Sequence, residues 1–129
     1  MKTNWLERHL GETIVTTGVI HSLTGIVGGR PVIADLWRDG VVNSVGTNGK
    51  REAWLWFATT GGILVGAGLL ADSHLRRTGT LPPSFGATLL ATALANGMLQ
   101  PVSGAWLVAA EGLLALKIGS QRPIAADAA

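Results

Sequence analysis

Few side chains in this sequence are equipped for chemistry, and those few are of kinds that move protons. Glu111, Glu52 and Asp35 are carboxyls within or beside long uncharged stretches, and His21 lies inside one. A carboxyl buried among apolar groups favours its neutral form, which is a proton donor at neutral pH. An imidazole can give or take a proton. Glu111, Glu52, Asp35 and His21 are therefore the candidate catalytic residues. Each also has a plainer reading. Glu111 could reach the headgroups or pair with Lys117. Glu52 could answer a helix N-terminus, where an acid is favoured by the dipole. Asp35 could simply be solvated, and His21 could tie two helices together.

The candidate binding residues are aromatic or amide. Trp supplies five of the seven aromatics and Tyr is absent. Trp37, Trp54, Trp56 and Trp106 offer the best faces for a cation, although Trp also belts membrane interfaces, which suits Trp5 and Trp54. Asn43 lies in a long loop. Thr88, Thr92, Asn96 and Gln100 recur every four residues, a polar seam that drifts slowly round a helix. Thr17, His21 and Thr24 share another helical face. Asn96 and Gln100 would bond across a bundle or line a cavity.

Other chemistries are disfavoured. The chain has no Cys, so it has no disulfide, thiolate site or cysteine nucleophile. The glycines from Gly61 to Gly68 are not followed by the Lys-Ser/Thr pair of a phosphate-binding loop. No His pair has zinc-ligand spacing, and only Asp35 and Asp39 are close enough to suggest an acidic metal site. No metal and no cofactor is expected. No basic stripe suits nucleic acid.

The elements that must position these residues follow from where charge is missing. Only 14% of the 129 residues are charged, against about 25% in ordinary soluble domains, and mean hydropathy is +0.37. Thr13 to Gly29, Ala53 to Ala71 and Thr78 to Ala110 carry no Asp, Glu, Lys or Arg, over 17, 19 and 33 residues. A membrane-crossing helix needs about 20 mostly apolar residues. The last stretch is too long for one crossing, and Pro101 disfavours helix at Gln100, which puts a tight reversal there. The expected fold is an all-α integral membrane protein. It is a compact four-helix transmembrane bundle forming one domain over 1–119, with spans near 11–30, 52–71, 83–100 and 101–118. A disordered tail is expected over 120–129. Three spans, with the tail on the surface, is the alternative.

The loop between the first two spans is long, and could be a lid over a site or a short interfacial helix from Ile33 to Trp37. Lys2, Arg8, Arg76, Arg77, Lys117 and Arg122 lie on one side of the spans, and Arg30, Arg38, Lys50 and Arg51 on the other. The positive-inside bias then places both termini in the cytoplasm. The first twelve residues are mixed in charge, unlike a cleavable signal peptide. Small residues such as Gly62 and Gly66, four apart, let helices approach closely, either within the subunit or between copies in a homo-oligomer.

Several short segments carry a resemblance. They are Gly18-Val-Ile-His21-Ser-Leu-Thr-Gly25, Asp39-Gly-Val-Val-Asn43, Ala53-Trp-Leu-Trp-Phe57, Gly79-Thr-Leu-Pro82 and Pro101-Val-Ser-Gly-Ala-Trp106. Over roughly residues 14–116 the chain is similar to a family of small bacterial four-span membrane proteins catalogued as a domain of unknown function. Its size and layout also resemble those of the small membrane terpene cyclases of bacterial indole- and diketopiperazine-terpenoid pathways. That second likeness rests on architecture, with no catalytic motif matched residue by residue. It implies an enzyme of the inner membrane that protonates an alkene or epoxide on a prenylated, lipophilic substrate and steers the cation into rings. The competing readings are an oligomeric small-molecule carrier and a non-catalytic accessory protein.

Overall fold

A computed structural model describes residues 5–121 of the chain. Lys2, Arg122 and the rest of the expected tail from 122 lie outside the described residues. The elements are all helices: α1 (Trp5–Arg8), α2 (Leu10–Gly28), α3 (Arg30–Arg38), α4 (Gly49–Thr78), α5 (Pro83–Leu99) and α6 (Ala105–Ser120). The four long ones lie over the four expected segments as helices, with shifted ends.

Local chemistry explains the shifts. The Asn48 side chain accepts from the backbone N–H groups of Lys50 and Arg51, so α4 starts early. It continues past Ala71 because Asp72 and Arg76 pair across one turn at 2.8 Å. It stops at Gly79, whose left-handed φ of 73° suits a residue without Cβ. The fourth long helix begins at Ala105 rather than 101, a correction to the expected boundary. Pro101 to Gly104 form the turn, and the Ser103 hydroxyl accepts from the Ala105 N–H. At its other end α6 runs through Ser120, one residue into the expected tail.

Of the two readings of the long loop, a helix is present. It is longer than expected, over Arg30–Arg38. Helical spacing puts Val32, Ile33, Leu36 and Trp37 on one side of it and Arg30, Asp35 and Arg38 on the other. None of its residues is buried. The chain then returns to α4 through a loop tied by Arg51, which bonds Asp39 Oδ2 at 2.6 Å and the carbonyl of Ser44.

Glycine decides which helices pair. α2 lies against α4 and α5 against α6. A Cβ added at Gly68 would stand 2.6 Å from the Val15 nitrogen and 2.7 Å from the Gly11 oxygen, so the two backbones touch there. Gly112 meets Leu90 of α5 in the same way, at 2.7 Å from its nitrogen. The two hairpins join mainly along α2 and α6. Their shared core is Leu10, Ile14, Leu64, Ala71, Leu81, Ala115 and Ile118, all toward the end that carries α1 and the α4–α5 turn. Gly62 and Gly66 face away from this packing, with open space around them.

Two helices, α2 and α4, are long and apolar enough to cross a membrane. The apolar window of α4 is only 17% buried. The core helix of a water-soluble domain would instead hide most of such a window.

Candidate functional site

By helical spacing, each long helix carries one line of residues that runs on from the shared core. On α2 it is Leu10, Ile14, Thr17 and His21, and on α6 it is Ile118, Ala115, Glu111 and Val108, by helical spacing. The corresponding residues are Ala71, Leu64, Thr60 and Phe57 on α4, and Phe85, Leu89 and Asn96 on α5. Burial changes along all four lines at the same height. Leu10, Ile14, Ala71, Leu64, Ala115 and Glu111 are buried, and Phe85 and Leu89 of α5 half-buried. Beyond them Thr17, His21 and Val108 are half-buried, and Thr60, Phe57 and Asn96 are exposed. The hairpins are thus closed together at one end and part at the other. Glu111 stands at the floor of the wedge between them.

Glu111 is 5% exposed, with buried Ala115 one turn on along α6 and half-buried Val108 one turn back. Its Oε1 is 2.6 Å from the Thr17 hydroxyl of α2, and its Oε2 is buried without a hydrogen-bond partner. Thr17 Oγ1 is also 3.1 Å from the Thr13 carbonyl. A hydroxyl has one hydrogen, so Thr17 cannot donate fully to both oxygens. If Glu111 keeps its proton on Oε1, that O–H donates to Thr17 and Thr17 donates to Thr13. Both contacts are then satisfied, and the unpartnered Oε2 is a neutral carbonyl. A carboxylate would leave a buried charged oxygen without a donor, which is far more costly. The pairing of Glu111 with Lys117 that the sequence allowed does not form. Lys117 Nζ instead bonds Glu7 Oε1 at 2.5 Å.

His21 stands one helical turn beyond Thr17 on the same line. Its Nε2 is 3.0 Å from the Phe57 carbonyl, and its ring stacks on the Phe57 ring with centroids 3.9 Å apart. A carbonyl only accepts, so Nε2 carries the hydrogen. Thr24, expected on this face, is exposed and donates back to the Ile20 carbonyl.

The other candidates stand apart from Glu111. Twelve residues of α2, about 18 Å of helix, separate Thr17 from Gly29, where Trp54 of α4 packs. Glu52 lies near that far end, exposed and in no ion pair with the described residues. Asp35 pairs with Arg38 at 3.1 Å on α3. Trp37 and Trp56 are exposed. Trp54 Nε1 donates to the Gly25 carbonyl, and Trp106 Nε1 donates to the Pro101 carbonyl while its ring covers Gly97. These two tryptophans brace the two hairpins. Asn43 is exposed in the loop with a left-handed φ of 57°. Asn96 lies on the wedge line and donates to the Thr92 carbonyl one turn back. Gln100 caps the end of α5.

Thr17, Phe57 and Thr60 are wedge residues that were not among the sequence candidates. Thr17 was visible as a face-mate of His21, but its partner is 94 positions away. Phe57 and Thr60 follow from helical register only once Leu64 is known to face the core.

The described residues thus make an all-helical protein of two glycine-packed hairpins with a buried acid, Glu111, where α2 and α6 meet, and a second, Glu7 of α1, paired with Lys117. The chain belongs to the family of unknown function DUF6463, which it matches over residues 5–122. No curated protein and no solved structure matches it.

Proposed function

We propose that this protein is a four-span bundle of the bacterial inner membrane, with both termini in the cytoplasm. Within it, Glu111 protonates a lipophilic, prenylated substrate. The span reading is supported by apolar residues turned outward. Ile20, Ile63, Leu70, Leu99, Leu107 and Leu113 are all exposed, on every one of the four long helices. α5 and α6 have 17 and 16 residues, about 25 Å of helix each. A bilayer adjusts to such a shortfall by local thinning. α3, with its apolar and charged sides, then rests at the interface opposite the termini.

The catalytic reading is carried by one observation: burial along the four lines falls just beyond Glu111. A wedge that opens sideways into lipid is dry and admits a chain without a water-filled channel. An acid at its floor meets an alkene or an epoxide oxygen. Protonation there makes a cation, ring closure follows as an internal alkene attacks it, and no metal is required. The His21–Phe57 stack supplies an aromatic face one turn beyond Thr17 along α2.

A second reading is favoured by the other polar groups. His21, Ser22, Trp54, Asn96 and Trp106 each make a hydrogen bond inside their own hairpin. An accessory protein with no chemistry would use them in that way. Vesicles holding the full chain, supplied with 3-farnesylindole or its terminal epoxide, separate the two readings. Cyclised product should form, and Glu111→Gln should abolish it while the protein still accumulates. Turnover unaffected by Glu111→Gln, Glu52→Gln and Asp35→Asn alike would sink the catalytic reading.

A further inference from the structure

We propose that His21 is the base that ends this reaction, taking the proton that the cyclised cation must lose; the inference rests on the Glu111 reading. An acid-initiated cyclisation needs two proton transfers. The first, from the Glu111 carboxyl, forms a C–H bond on the alkene and leaves a carboxylate and a tertiary carbocation. Ring closure moves the charge along the chain. The second transfer removes a hydrogen from a carbon beside the final cation. The electrons of that C–H bond become the new double bond, and the proton goes to a base. The net change is an isomerisation, with nothing oxidised or reduced.

The geometry supplies that base. The bond from Nε2 to the Phe57 carbonyl fixes the hydrogen on Nε2. The neutral ring then carries its lone pair on Nδ1, which has no hydrogen-bond partner among the described residues. Such a nitrogen is a proton acceptor whose tautomer is set by its neighbour. It sits on the same face of α2 as Thr17, four residues on, about 6 Å along the axis from the residue that touches Glu111. By helical spacing the partner of the acid and the base therefore lie one turn apart on one line of α2, on the scale of a single isoprene unit. The Phe57 ring stacks on the imidazole and packs beside Gly25, one turn farther along α2, so the base is backed by an aromatic surface. One transfer from the imidazolium to the Glu111 carboxylate, past Thr17, restores both groups.

His21→Gln separates this role from packing, because a Gln amide N–H can still donate to the Phe57 carbonyl while its oxygen is no base. In vesicles given 3-farnesylindole, His21→Gln should still consume substrate. The share of the wild-type alkene should fall at least tenfold, replaced by isomeric alkenes and water-captured alcohols. An unchanged product profile overturns the inference, whereas turnover by Glu111→Gln overturns only the reading beneath it. A second measurement needs no turnover. In full-length protein labelled with ¹⁵N-histidine, the His21 signal is assigned by its loss in His21→Gln. It should report hydrogen on Nε2 and a bare Nδ1, and the Nδ1 signal should shift when N,N-dimethylfarnesylamine, an ammonium mimic of the cation, is added. The opposite tautomer, or no shift at saturating amine, overturns the assignment.

Discussion

Gly68→Ala should loosen the α2–α4 hairpin, and Gly66→Ala, two residues away, should not. At Gly68 the new methyl would stand 2.6 Å from the Val15 nitrogen, 2.7 Å from the Gly11 oxygen and 2.8 Å from a Val15 methyl. Two of these three atoms are helix backbone, so no side chain can swing aside. The helices must separate, and Gly11, Gly18 and Gly61, which pack at similar distances along the same seam, lose contact with them. Overpacking of this kind costs about 1–3 kcal/mol. At Gly66 nothing lies within 4 Å of the added methyl. Both variants gain the same helix propensity, about 1 kcal/mol in an exposed helix, so that gain cancels when they are compared. For a chain of this size the difference corresponds to about 3–12 °C in melting temperature. The measurement is thermal loss of helical circular dichroism for the two full-length variants in the same detergent. Indistinguishable melting temperatures would refute the backbone contact, and with it the assignment of α2 to α4.

Two further substitutions probe the ends of α4. Asn48→Ala removes the oxygen that receives the Lys50 and Arg51 N–H groups. It should cost about 1 kcal/mol and speed proteolysis within residues 39–48, next to Arg51 and the Asp39 it holds. Gly79→Ala forces a Cβ into a left-handed φ of 73° and should cost about 1–2 kcal/mol, read as a lower melting temperature. Gly79→Asn should lose less, because Asn tolerates that region.

The four long helices were legible because charge and helix length are local properties. Thr13 to Gly29 has no ionised side chain to bring toward water, and the same holds in the other stretches. The ends of those helices were less legible. α4 outran its apolar stretch because the Asp72–Arg76 pair is itself a helix former, a local contact that hydropathy does not weigh. The long loop was half legible. Its apolar and charged residues alternate at a helical period, yet whether Ile33 to Trp37 would be a lid or a helix depended on what lay beneath it.

Glu111, His21 and the glycines mark where sequence reading ends. Their chemistry was plain from the residue types, since a lone acid and a lone imidazole in apolar stretches are expensive and seldom idle. Their partners were not. Thr17 and Glu111 are 94 positions apart, and helical spacing relates residues within one helix, not between two. The same limit applied to packing: Gly66 and Gly68 are alike as residues, and only the docking of α2 puts one in a seam and leaves the other open. From composition and period came the helices and an inventory of proton-bearing groups. Pairing of the hairpins alone decided that they close at one end and part at the other, because that depends on side chains far apart in the chain meeting at one height. That decision sets Glu111 at the floor of the wedge and leaves Glu52 near the far end of α2, about 18 Å of helix from Thr17.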